Sequence, residues 1–192
     1  MFQNLARIPK RYQGKTLETY IGPERVKSDA MNALVNDGSI ILSGPPGVGK
    51  THLAVALLYE WVISKPQVLN ENRLIWDKVQ GAPRFLPSVE FYSELKSGFS
   101  TEKDEREILM PYLKTPLLIL DDVGSEKISD WTRMCLYQLV DTRYREVLQT
   151  IVTTNLNLRE LSEQLDDRIV SRFHEMGMII ELDGKDFRTH TR

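Results

Sequence analysis

Three short apolar runs divide the chain, and each ends in residues that stop a strand. Ser39-Ile40-Ile41-Leu42-Ser43 runs into Gly44-Pro45-Pro46-Gly47, Pro116 to Leu120 closes on Asp121-Asp122, and Thr150 to Thr154 ends at Asn155. Runs of this length bounded by turn formers predict buried strands. Residues 84–88 and Met178 to Leu182 predict two more. Between them the pattern turns helical. Residues 24–36 place Val26, Ala30, Ala33 and Leu34 on one side, and residues 51–64 are almost continuously apolar, which predicts a well-buried helix. Further helices are expected from Glu90 to about Phe99 and from about Glu102 to Leu113. Ser129 is an N-cap candidate for a long helix to Leu148, with Met134, Tyr137, Val140, Tyr144 and Val147 at helical spacing. Residues 158–175 look helical. Residues 1–38 form a polar lead-in, and 65–83 look like an insertion, broken by Pro66, Asn70, Asn72, Gly81 and Pro83. Alternating strands and helices predict an α/β fold on a parallel sheet, with residues 1–192 as a single domain.

Composition changes this picture little. The 192 residues suffice for a sizeable core, and 25 Lys plus Arg against 27 Asp plus Glu leave a net charge of −2. That balance neither demands nor excludes a nucleic-acid partner. Cys135 is the single cysteine, which rules out a disulfide within the chain and argues against a cysteine-based zinc site. The start lacks the apolar core of a signal peptide, and no run approaches a membrane span, so a cytoplasmic protein is expected.

The chemistry concentrates at the strand ends. Gly44-Pro45-Pro46-Gly47-Val48-Gly49-Lys50-Thr51 fits G-x-x-x-x-G-K-[ST] between a predicted strand and a predicted helix. Glycines let successive N–H groups turn inward at phosphate oxygens, and the following helix adds its positive end. Lys50 would reach the β- and γ-phosphates, and the Thr51 hydroxyl is a natural Mg²⁺ ligand. A chance match in a chain this long is on the order of one per cent. The strand ending in Asp121 and Asp122 puts carboxylates beside this loop. Asp121 would hold Mg²⁺, directly or through water, and Asp122 would polarise the attacking water as general base. Asp is one methylene shorter than the Glu that many such enzymes use here, which points to slow hydrolysis. Asn155 would orient the water or touch the γ-phosphate; its alternative is an ordinary strand-end turn residue. His52 is grouped with the nucleotide-binding residues by its place beside Thr51, although packing is its more ordinary role.

With these motifs in order, the sequence resembles the AAA+ ATPases, and within them the DnaC/DnaI helicase-loader and IstB transposition-helper group. Ile8-Pro-Lys-Arg-Tyr, GPPGVGKTHLA from Gly44, LLILDDVGSEKISDW from Leu117, TIVTTNL from Thr150, LDDRIVSRF from Leu165 and ELDGKDFR from Glu181 carry the resemblance. It implies a three-layer P-loop NTPase core with a parallel central sheet and no separate helical lid, the chain ending soon after Arg188. It implies that Asn155 is sensor 1 and that Arg172 is an arginine finger pointing into a neighbouring subunit's nucleotide. Arg168, one turn earlier, is the alternate finger or a supporting contact. An exposed salt bridge is the alternative for both. Arg188 matches the C-terminal sensor 2 arginine. Helicase loaders carry an N-terminal domain that grips the helicase; here the core begins almost at Met1, so the chain is either a fragment or a short member that meets its partner differently.

The resulting expectation is an Mg-ATP-dependent, homo-oligomeric ATPase acting as a DNA replication helicase loader on single-stranded DNA and a replicative helicase. An IstB-like transposition regulator with a transposase partner is the second reading, and a nucleotide-dependent adaptor with negligible hydrolysis the third. Trp76 with Arg73, Lys78 and Arg84 would stack on a single-stranded base or simply anchor a loop. Lys96 and Lys103 would contact phosphates or remain solvated. His174 and His190 show no ligand spacing.

Overall fold

The apolar runs pair with one another because each is apolar on both faces and needs a neighbour on each side. The computed structural model describes residues 6–64, 68–70, 73–75, 82–100 and 105–190. Along the chain lie α1 (Glu24–Val35), β1 (Ser39–Ser43), α2 (Lys50–Ser64), β2 (Val68–Asn70), β3 (Arg73–Ile75), β4 (Arg84–Pro87), α3 (Ser88–Ser100) and α4 (Glu105–Leu113). They are followed by β5 (Leu117–Asp121), α5 (Asp130–Arg145), β6 (Gln149–Thr154), α6 (Leu158–Gln164), α7 (Asp167–Met176) and β7 (Gly177–Glu181). Five strands form one all-parallel sheet in the order β4-β5-β6-β1-β7. β2 and β3 form a separate antiparallel pair within the irregular stretch.

Alternation along each strand makes three layers. Ile40 and Leu42 of β1 join Leu117, Ile119, Ile151 and Ile180 on the face covered by α1 and α2. Ile41, Leu118, Leu120 and Val152 face α3 to α7. Leu53, Leu57 and Leu58 of α2 are fully buried, and each such side chain contributes roughly 1.5–3 kcal/mol by leaving water. The chain leaves β1, crosses to the far edge at β4, and steps back through β5 and β6. The carboxyl ends of β1, β5 and β6 therefore lie side by side, where open parallel sheets form their ligand crevice. This is the expected α/β three-layer core. Among the described residues no helix is long and apolar enough to cross a membrane.

The polar lead-in packs into the core: Ala6, Ile8 and Tyr20 are buried, and Ala6 O accepts from Phe85 N at 2.8 Å beside β4. Residues 158–175 are helical in two segments. The Asp166 side chain accepts from Arg168 N and caps α7, so a local carboxylate replaces the continuing helical bond. The buried face of α5 differs from the expected one. It comprises Thr132, Cys135, Leu136, Leu139, Val140 and Arg143, whereas Met134 and Val147 are exposed.

Ser129 does cap α5, accepting from Thr132 N, but the helix stops at Arg145 rather than Leu148. Val147 then takes a left-handed conformation (φ 52°) in which Leu148 N bonds Arg143 O at 2.9 Å and Val147 N bonds Tyr144 O at 3.2 Å. This double closure usually falls on glycine, because a β-branched residue strains there. Val147 is 80% exposed, so little packing is lost with its side chain. Val147→Gly should therefore stabilise the fold by about 1 kcal/mol. Thermal unfolding checks it: a melting temperature equal to or below wild type would contradict the assignment.

Candidate functional site

The loop from Gly44 to Thr51 wraps the end of β1 and feeds α2. Gly44 (φ 145°) and Gly47 (φ 85°) adopt backbone angles that side chains avoid. Space also forbids a side chain: a Cβ on Gly44 would overlap Leu182 O, and one on Gly47 would overlap the Asp186 carboxylate. Phe187 N bonds Gly47 O at 3.1 Å, so the segment after β7 packs directly on the loop.

Lys50 is 6% exposed, and its ammonium uses all three donors. It donates to Gly44 O at 2.7 Å, Pro45 O at 2.8 Å and Asn155 Oδ1 at 2.7 Å. Burial lowers its pKa, Asp122 and Asp121 oppose that, and Arg188 adds to it. The Asn155 amide turns its other end to Asp122, donating from Nδ2 to Oδ1 at 2.6 Å. One side chain on β6's end thus bridges the phosphate lysine and the second acid.

Asp121 is 8% exposed at the end of β5. Its Oδ1 accepts from Thr51 Oγ1 at 2.8 Å and from Thr153 Oγ1 at 2.7 Å. Burial raises its pKa, while the Thr153 and Thr51 hydroxyls pull it back. The donor set suits Mg²⁺, which is typically held by a hydroxyl and one carboxylate, with waters and substrate phosphates completing its shell. No cluster of three His, Cys, Asp or Glu able to hold a metal occurs among the described residues.

A cleft of about 310 Å³ brings these groups together, lined by Pro46, Gly47, Gly49, Lys50, Thr51, His52, Asp121, Asp122, Asn155 and Arg188 among others. His52 reaches the cleft, but its Nε2 lies 3.1 Å from both Thr16 O and Thr19 Oγ1, which ties down the N-terminal segment. Burial lowers its pKa. Arg11, Tyr12, Lys15, Thr153 and Phe187 also line the cleft and were not assigned roles from sequence. Arg11 and Tyr12 stand in the Ile8-Pro-Lys-Arg-Tyr motif, the one signal that pointed at them.

Arg168 and Arg172 are absent from the lining of this cleft. Arg172 Nε donates to Asp141 Oδ1 at 3.0 Å, and its guanidinium lies 4.7 Å from the Tyr144 ring centre. Arg168 forks onto Asp166 at 3.0 and 2.9 Å, over the Tyr137 ring. Trp76, Lys78 and Lys103 lie outside the described residues, as do the side chains of Arg73 and His190. Arg84 sits 5.8 Å from the Tyr112 ring centre.

Comparison with known proteins agrees with this fold. A model of the IstB-like ATP binding protein family matches residues 80–192, more than half of the chain. The chain belongs to the IstB-like ATP-binding family. A second model, novel STAND NTPase 3, matches residues 23–82. The replicative helicase loader DnaC of Escherichia coli strain K12 is 28% identical over 138 residues, covering 71% of this chain and 50% of that protein. The insertion sequence IS232 putative ATP-binding protein of Bacillus thuringiensis subsp. berliner is 27% identical over 164 residues, covering 83% and 59%. This IstB-like chain therefore spans about half the length of the curated relatives it matches. A crystal structure of the DnaC helicase loader superposes with a TM-score of 0.75 at 28% identity, covering 91% of this chain and 100% of that one. AMPPCP-bound DnaA from Aquifex aeolicus gives 0.70 at 25%, covering 94% and 53%.

The family is one of ATP-binding proteins, and Lys50 is among the cations that line the cleft. Lys50→Ala should abolish ATP binding in a calorimetric titration while the far-ultraviolet circular dichroism stays unchanged. Unaltered affinity would remove Lys50 from the site.

Proposed function

We propose that this chain is an oligomerising AAA+ ATPase that acts as a helicase loader in DNA replication, with ATP switching its contact to single-stranded DNA or to the helicase. The observation that carries the ATPase reading is the bonded chain Lys50–Asn155–Asp122, which ties the phosphate-binding cation to the acid that activates water. Loop N–H groups and Lys50 hold the β- and γ-phosphates. Thr51 and Asp121 would hold Mg²⁺, which would supply charge neutralisation for those phosphates. Tyr12 and Phe187, which line the cleft, offer rings for the base. Asp122 takes a proton from water as its oxygen attacks the γ-phosphorus, and the bond to the bridging oxygen breaks. Asn155 orients that water, and Arg188 meets the phosphates from the tail.

Arg172, outside its own cleft, serves the nucleotide of a neighbouring copy, with Arg168 supporting it. A guanidinium there balances charge spread over the transferring group. The helicase-loader reading is favoured by the match over the whole of the DnaC structure. A transposition regulator is supported by the IS232 relative and by the family description. The shorter Asp122 keeps an adaptor with negligible turnover as a third reading.

Affinity capture with the purified chain should retain a replicative helicase in the presence of ATP; capture of a transposase instead would exchange the first reading for the second. Arg172→Ala should leave ATP affinity within about threefold of wild type and lower turnover roughly 10³-fold. Wild-type turnover per molecule should rise with protein concentration. Concentration-independent turnover would sink the shared-site assignment.

A further inference from the structure

We propose that Thr153 is a positioning residue that sets both acids of the cleft with one hydroxyl, and this inference rests on the ATPase reading above. Thr153 Oγ1 donates to Asp121 Oδ1 at 2.7 Å and accepts from Asp122 N at 2.8 Å. Its own carbonyl accepts from Val123 N at 2.8 Å. A single residue of β6 therefore grips three consecutive residues at the end of β5.

That grip answers a local problem. Asp122 has a left-handed backbone (φ 61°), uncommon outside glycine, and such strain persists only where neighbours hold it. Thr153 holds the N–H side of Asp122, and Ser88 Oγ donates to Asp122 O at 2.9 Å on the other side. The turn at Asp122 breaks away from β5 directly after Asp121. The first carboxylate thus stays at the strand end beside Thr51, and the second meets Asn155.

The residue type supports the assignment. β6 is buried along its whole length, and Thr153 is 1% exposed. Valine has nearly the same shape and suits such a strand, whereas a buried hydroxyl is costly unless it is bonded. Thr153's hydroxyl is bonded, and to both acids.

The test compares Thr153→Val with Thr153→Ser in the full chain. Fluorescent ATP binding is followed as MgCl₂ is titrated, and steady-state hydrolysis is measured alongside. Thr153→Val should keep Mg²⁺-free nucleotide affinity within about twofold, raise the Mg²⁺ needed by roughly 10-fold or more, and lower kcat by about 10–100-fold with KM little changed. Thr153→Ser should return both quantities to within about threefold of wild type. A valine variant with wild-type Mg²⁺ dependence and kcat overturns the proposal. If the valine variant does not fold, Ser is compared with Thr153→Ala, since both lack the methyl group. Equal behaviour of those two overturns the proposal, and a superior Ser variant supports it. A wild-type chain that binds no ATP overturns the ATPase reading and this inference with it, whereas Mg²⁺-dependent wild-type binding with an unaffected valine variant overturns this inference alone.

Discussion

A buried ammonium is the constraint around which the cleft is arranged. Removing Lys50 from water is costly unless each of its donors finds an acceptor. Two acceptors are carbonyls of its own loop, and these point inward only because Gly44 and its neighbours curl that backbone. The third is Asn155, 105 residues away in sequence. That distance is closed by the sheet order, which sets β6 directly beside β1. The parallel topology is therefore what turns a loop motif into a site: without β6 in that place, the lysine would lack its third partner.

The same arrangement explains how the cleft would respond to a nucleotide. The loop carbonyls and Asn155 occupy the ammonium that a triphosphate needs. Arriving phosphate oxygens would compete for Lys50 and release Asn155 Oδ1, while Asn155 Nδ2 stays within reach of Asp122. Charge on the phosphates offsets the ammonium more fully than neutral carbonyls do. On the proposed reading, the amide would be the joint through which occupancy of the loop reaches the acid, and a carboxylate at that position could not serve, because it has no donor for Asp122.

Legibility from sequence followed the physics of burial. β1, β5 and β6 are buried on both faces, so their apolar runs stand out, and the loop's glycines point to the cleft at the end of β1. The lead-in's share of the core is hard to read because it enters through isolated residues, Ala6, Ile8 and Tyr20, with no periodic stripe. The face of α5 was misjudged because an apolar count cannot include Arg143. That guanidinium is fully buried, bonded to Thr150 Oγ1 and to the carbonyls of Tyr112, Thr115 and Gln149, and burial lowers its pKa to about 9. Its partners come from two parts of the chain, residues 112–115 and residues 149–150, and no apolar periodicity encodes them. The break before α7 was hidden for a related reason: Asp166 reads as helix surface until its carboxylate is seen capping Arg168 N.

The two helix arginines differ in how readily they could leave their present partners. Arg168 makes two N–H bonds to Asp166, whose carboxylate also caps α7, so its departure would strip two bonds from the helix start. Arg172 holds Asp141 through one N–H bond at 3.0 Å, with Glu175 farther off at 3.6 Å. Asp141 would not be stranded, because Arg145 Nε reaches its other oxygen at 3.0 Å. Ion pairs near the surface contribute little, and a phosphate offers a guanidinium stronger, forked bonds. Swapping Asp141 for a neighbour's γ-phosphate is therefore a small rearrangement for Arg172 and a larger one for Arg168. That asymmetry supports the proposal that Arg172, rather than Arg168, is lent to a neighbouring copy, with Arg145 as the residue that would keep Asp141 paired.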